Sequence, residues 1–246
     1  MGYRPGKLPP RRSLPRPIIC LRYGPPLLTA SARLWAAALT ASCAALVAVF
    51  GVLFAHEATA DRFDYTIDSP IITWFGAHRG LGGWLISPGA LLPAGVLSAA
   101  IVVGCLLAGR LNGAVLAAIA VPVADGLSDG LLKPLVHRTY LGVLTYPSGH
   151  TTAIFALATT VTMMFIVPPR PGKAGELYVL VTAAVYAAAC VVAIALIGLR
   201  FHYFTDTVAG AALGVGTVCG LALLLDLSTV RSHFNHDHGH LPTAEH

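Results

Sequence analysis

Stretches of about twenty residues without a charge recur along this chain, and nothing else in it restricts the fold as strongly. The clearest is 34–55, which holds 22 uncharged residues. About 20 residues, at a rise of 1.5 Å each, cross the hydrocarbon core of a bilayer. Further apolar runs lie at 88–109, 112–131, 151–167, 178–199 and 207–227, of which 112–131 is the weakest because it contains Asp125 and Asp129. Composition agrees: 56% of the 246 residues are hydrophobic and only 11% charged, where a soluble domain has about 25% charged. The expected fold is all-α, a polytopic six-span transmembrane helical bundle over 34–227.

Two tails flank this domain. Residues 1–33 carry Arg4, Lys7, Arg11, Arg12, Arg16, Arg22 and Arg33 among seven prolines, a density that blocks helix and predicts a disordered basic arm. Residues 228–246 form a His-rich tail with His233, His236, His238, His240 and His246, and no neighbouring scaffold to shape a metal site. With both termini cytoplasmic, the inner segments hold eleven basic residues and the outer segments five, in accord with the positive-inside rule. The multi-pass protein is thus expected in the cell (inner or plasma) membrane. The net charge of +5 belongs mainly to the basic arm, so it points to membrane topology and not to nucleic acid. Residues 57–87, with Asp61, Asp64, Asp68, Trp74 and Trp84, read as an external loop with an interfacial helix, able to roof a site or simply to anchor at the headgroups. The five cysteines show no metal-ligand spacing, and no Walker loop or zinc helix is present.

Two polar clusters interrupt this apolar pattern. One is Tyr146-Pro147-Ser148-Gly149-His150; the other is Arg200-Phe201-His202-Tyr203-Phe204-Thr205-Asp206. The orientation above puts both on the non-cytoplasmic face. Ionisable residues at a membrane boundary are costly and mark function. Asp206, four residues after His202, is placed to orient one imidazole nitrogen and leave the other free as a nucleophile. His150 opens an apolar run whose helix N-terminus favours an anion, with Gly149 admitting backbone N–H groups and Ser148 offering a hydroxyl. Lys133, Arg138 and Arg200 are candidate phosphate neutralisers. Asp125 and Asp129 share a helix face and are expected to point inward, chiefly for helix–helix bonding.

These residues resemble the type 2 phosphatidic acid phosphatase family, within the group that includes vanadium haloperoxidases. Of its motifs K-x6-R-P, P-S-G-H and S-R-x5-H-x3-D, the second is complete at Pro147-Ser148-Gly149-His150, the third keeps His202-x3-Asp206, and the first begins at Lys133-Pro134. The resemblance implies that His202 is the nucleophile forming a phosphohistidine, Asp206 its orienter and His150 the acid for the leaving group. It implies phosphate binding by Lys133, Ser148 and Gly149. Two arginines are displaced: Tyr140 stands where motif one has its arginine, with Arg138 two residues earlier, and Leu196 stands where motif three has its own, with Arg200 four residues later. The implied function is an integral membrane lipid phosphatase or diphosphatase acting on a phosphatidate-like or polyprenyl-linked substrate. No cofactor or metal is expected. A lipid phosphotransferase and a silent lipid-phosphate binder or transporter are the alternatives, and the oligomeric state is left open.

Overall fold

The computed structural model describes residues 27–166 and 173–238. Most of the basic arm and residues 239–246 of the His-rich tail therefore lie outside the described residues. The first helix, α1 (Ala30–Leu53), begins a little before the expected span, because the Thr29 hydroxyl accepts from the Ala32 amide and caps it. Its entry is held from the far end of the chain. The buried Asp226 carboxylate accepts from the Leu27 and Leu28 amides at 2.7 and 2.9 Å and pairs with Arg33 at 3.2 Å. Three donors thus share one carboxylate.

The segment after α1 is helical. Asp61 caps α2 (Arg62–Ala77) by accepting from the Asp64 amide. A short α3 (Arg79–Ile86) leads through a 3₁₀ turn, Ser87–Gly89, into α4 (Leu91–Leu107), with a bend of 52° between them. α5 (Leu111–Asp125) runs on as a π-helical stretch, Gly126–Leu132, and a final turn, α6 (Lys133–Val136). His137, at φ 54°, ends it in the left-handed region. A two-residue hairpin follows, β1 (Thr139–Tyr140) against β2 (Val143–Leu144), with Leu141 and Gly142 both at positive φ as its tight turn requires. Three long helices complete the chain: α7 (Gly149–Ile166), α8 (Lys173–Gly198) and α9 (Phe204–His238).

Helix α9 is the centre of the bundle. A Cβ on Gly210 or Gly214 would meet the Ser148 or Thr152 carbonyl on α7 at 2.6 or 2.4 Å, while one on Gly216 would meet Cys43 on α1 at 2.8 Å. Two glycine-bearing faces thus let two helices approach the same rod, the small-residue packing that membranes favour where no hydrophobic force drives association. The core between helices is correspondingly fine-grained, with Ala94, Ala120, Ala124, Ala156, Ala189 and Ala222 fully or almost fully buried. Large apolar side chains such as Trp35, Val52, Leu92 and Leu107 stand outward, as lipid-facing residues do.

Among the described residues, four helices are long and apolar enough to cross a membrane: Ala30–Leu53, Leu111–Val136, Gly175–Gly198 and Phe204–Ser228. A fifth span results if the bent pair Gly82–Gly89 and Leu91–Leu107 counts as one. The chain is therefore an all-α polytopic protein with four or five candidate spans among the described residues, short of the six expected. The composition of α7 has a physical reason. It buries Thr152, Thr159 and Thr160, whose hydroxyls donate to the carbonyls of Ser148, Phe155 and Ala156 one turn back. These bonds satisfy polar groups inside the bundle while lowering the helix's hydropathy.

Candidate active site

The two polar clusters of the sequence meet at one end of the bundle. The Ser148 amide donates to the Asp206 carbonyl at 3.0 Å, joining the start of α7 to the first turn of α9. Ser148 is fully buried and caps α7, accepting from the Thr151 amide at 3.4 Å and sharing a 2.9 Å bond with the Thr151 hydroxyl. Gly149 faces the π stretch so closely that a Cβ there would sit 3.1 Å from Asp129 Oδ1. Lys133 Nζ bonds the same Asp129 oxygen at 2.8 Å. The π turn belongs to the site: i→i+5 bonding of this kind often marks functional positions, and here it brings Asp129 and Lys133 against Gly149.

His202 lies in the turn before α9 and is buried. Burial, before any other cause, pushes its pKa down to about 3; Lys133 and His150 add to the effect, while the Thr145 backbone and Asp129 oppose it. The imidazole is therefore neutral at neutral pH, with a lone pair available for attack. His202 Nδ1 stands 4.0 Å from Asp206 Oδ2 and has no hydrogen-bond partner. That separation is too long for a hydrogen bond, so the expected orienting contact is not made in this conformation.

Asp206 is engaged elsewhere. Its Oδ1 accepts from Arg138 Nη1 at 2.7 Å, and its Oδ2 from the Tyr203 amide at 3.1 Å. Arg138 was expected to bind phosphate; the structure places it beneath the site, fully buried. Its Nη1 also donates to Thr205 Oγ1 at 2.7 Å, and its Nη2 donates to Asp64 Oδ2 at 2.6 Å. The rings of Phe54 and Tyr203 cover the guanidinium at 4.3 and 4.4 Å. Burial works to lower the guanidinium's pKa, but Asp206 and Asp64 more than offset it and hold it above the ordinary value. Arg200, also expected at the phosphate, is exposed, has φ 63°, and lines a small cleft with Ile72, Phe75 and Gly76. The two displaced arginines thus occupy different surroundings, one under the histidine and one on the surface.

Two carboxylates of the segment expected to form an external loop with an interfacial helix complete the buried network. Asp64, on α2, is fully buried and accepts from the Thr205 amide at 2.9 Å and its hydroxyl at 2.8 Å, besides Arg138. Asp68, one turn on, accepts from the Phe204 amide at 3.2 Å. Both therefore sit at the N-terminus of α9, where a helix favours negative charge. Burial and then the neighbouring Asp64 raise the Asp68 carboxyl to about 7. The available signal was the i, i+4 spacing of Asp64 and Asp68, which gives α2 one acidic face in a chain with few acids. Among the described residues, no three His, Cys, Asp or Glu side chains converge as a metal site.

Beside the site an apolar groove of about 430 Å³ opens between α1, the α5–π segment and α9, lined by Val47, Val123, Leu127, Leu131, Leu213 and Leu224. Its upper wall ends at Leu132, the residue before Lys133.

Residues 137–229 match the family model of the PAP2 superfamily. The matched segment carries Arg138, the Pro147–His150 motif and the His202–Asp206 pair, and begins after Lys133. No curated protein and no solved structure matches the chain.

Proposed function

Taking as premise that residues 137–229 belong to the PAP2 superfamily, we propose that this protein is an integral membrane lipid phosphatase or diphosphatase. The observation that carries the reading is the 3.0 Å bond from the Ser148 amide to the Asp206 carbonyl, which joins the Pro147–His150 and His202–Asp206 segments, with His202 buried, at the end of apolar helices. In the proposed reaction His202 Nε2 attacks phosphorus while the P–O bond to the lipid oxygen breaks. His150 supplies the proton that the departing oxygen takes up. Water then attacks the phosphohistidine, the P–N bond breaks with its electrons returning to His202, and the water's proton goes to His150. One water is consumed, and a lipid alcohol (or lipid monophosphate) and phosphate leave.

The phosphate is held by Lys133, once drawn from Asp129, and by the amides at the start of α7, which Gly149 leaves accessible. Ser148 sets those amides by capping the helix. Arg138 supports the site through its bond to Asp206. The apolar groove supports a substrate whose hydrocarbon chain stays in the bilayer; its lining offers nothing to a soluble phosphate ester. In this reading α4 and α7 complete six spans, both termini are cytoplasmic, and the site faces the other side of the cell membrane.

The test is phosphate release by the purified protein in detergent with a chelator present. Phosphatidate, a polyprenyl diphosphate and a polyprenyl-linked sugar phosphate are the substrates. Release from at least one is expected. His202→Ala should fall to background, and His150→Ala should lose about 10²–10⁴-fold, as for a general acid. Release undiminished in His202→Ala refutes the phosphohistidine route, and activity lost to the chelator and restored only by a divalent ion refutes metal independence.

A further inference from the structure

Arg138 bonds Asp206 through one oxygen only. Guanidinium and carboxylate ordinarily favour a two-point fork, and such a fork on Asp206 would engage both of its oxygens. Asp64 prevents it: its Oδ2 takes Arg138 Nη2 at 2.6 Å, leaving Nη1 for Asp206 Oδ1 at 2.7 Å. Thr205 braces the arrangement, accepting from Nη1 at 2.7 Å and donating to Asp64 Oδ2 at 2.8 Å. Asp206 Oδ2 is thereby left between the Tyr203 amide and His202 Nδ1, 3.1 and 4.0 Å away.

We propose that Asp64, on helix α2, is a positioning residue for the His202 nucleophile, acting by dividing Arg138 between two buried carboxylates. This rests on the phosphohistidine reading above. As Nε2 attacks phosphorus, positive charge grows on the imidazole and the Nδ1 proton becomes a stronger donor. An Asp206 oxygen free of the arginine is then the acceptor within reach. One positive guanidinium faces two fully buried carboxylates and, 3.7 Å from the same Nη2 as Asp64, the partly exposed Glu57; the surplus negative charge there favours the charged imidazole of the intermediate. Helix α2 is thus part of the catalytic apparatus through one buried side chain, although it lies far from the histidines in sequence.

The test compares Asp64→Asn with the parent in turnover, in KM and in the ¹⁵N shift of His202 Nδ1 in histidine-labelled protein. All are measured on monodisperse protein well below its melting temperature. Asparagine keeps the size and an acceptor but removes the charge. The expected result is a fall in kcat of about 10–100-fold with KM changed less than about threefold, the pattern of an interaction made in the transition state. The Nδ1 shift should move as Arg138 closes on Asp206. In an Arg138→Gln background the same substitution should cost little more, because the shared partner is gone. A lower melting temperature with kcat and the Nδ1 shift unchanged overturns the proposal and leaves Asp64 a structural residue. Should Asp64→Asn not fold, Thr205→Val takes its place: it keeps both charges and removes the brace, and unchanged kcat and shift there overturn the proposal equally. If the parent releases no phosphate, the functional reading fails on that result, while the Nδ1 shift still judges Asp64.

Discussion

At the scale of single residues, burial sets the chemistry of the site more than pairing does. His202 is neutral because it is desolvated, and Asp68 holds its proton for the same reason, although one is a base and the other an acid. The two therefore act on stability with opposite sign. With a folded pKa of about 3 against 6.5 unfolded, His202 is protonated more readily in the unfolded chain. Its contribution is complete above about pH 6.5 and is lost as pH falls toward about 3. With a folded pKa of about 7 against 3.8, Asp68 is protonated more readily in the folded chain. Its contribution is complete below about pH 4 and is lost as pH rises toward about 7. The parent balances the two between about pH 4 and 6.5. Asp68→Asn should expose a melting temperature that rises with pH over this window, and His202→Gln one that falls. Thermal melts in detergent relative to the parent decide it, and matching slopes in the two variants contradict the assignment.

At the scale of elements, the site is built where helices end. The π stretch brings Lys133 and Asp129 against Gly149, the start of α7 presents its amides, and the start of α9 is fixed by Asp64 and Asp68 from α2. These ends stay in register only if α7 and α9 lie close, which the glycines of α9 permit. A Cβ at position 214 meets backbone on α7, the Thr152 carbonyl at 2.4 Å and the Ala156 amide nitrogen at 2.9 Å, and backbone cannot rotate aside. Gly214→Ala should therefore destabilise by about 1–3 kcal/mol, the usual cost of overpacking, seen as a lower melting temperature. At position 220 the nearest atom is Thr40 Cγ2 at 3.5 Å, ordinary contact. Gly220→Ala should be neutral or stabilising by up to about 1 kcal/mol, since alanine is the better helix former. Equal losses in the two variants would contradict this account of the interface.

At the scale of the whole molecule, the arrangement predicts sidedness. The hairpin tip at Leu141 adjoins the site, and the turn at Ala108, between α4 and α5, lies at the other end of the α5 helix; both positions are exposed. In a variant with its native cysteines replaced, Leu141→Cys should react with a membrane-impermeant maleimide in intact cells, and Ala108→Cys only after the membrane is opened. The reverse pattern would turn the site toward the cytoplasm and exclude a substrate presented on the outer leaflet. Labelling of both in intact cells would refute an odd number of crossings between them.

Much of this protein could be read from the sequence because a bilayer imposes a local rule. A span must be a long, predominantly apolar run, so the helical, polytopic class was visible from residues 34–55 onward, and Pro147–His150 and His202–Asp206 stood out as polar interruptions. Chemistry confined to short spacings was legible for the same reason. The fate of each charge was not, because it depends on partners distant in the chain. Whether Arg138 meets a phosphate or lies beneath the histidine depends on Asp64, 74 positions away, and on Asp206, 68 away. The exact boundaries of the spans were equally beyond a local reading: Asp226 holds the start of α1 from nearly 200 residues off, and buried threonines in α7 are affordable only because their hydroxyls find carbonyls within the helix. Local hydropathy determines which segments enter the membrane; the distribution of a few buried charges among distant partners is decided only when the helices pack.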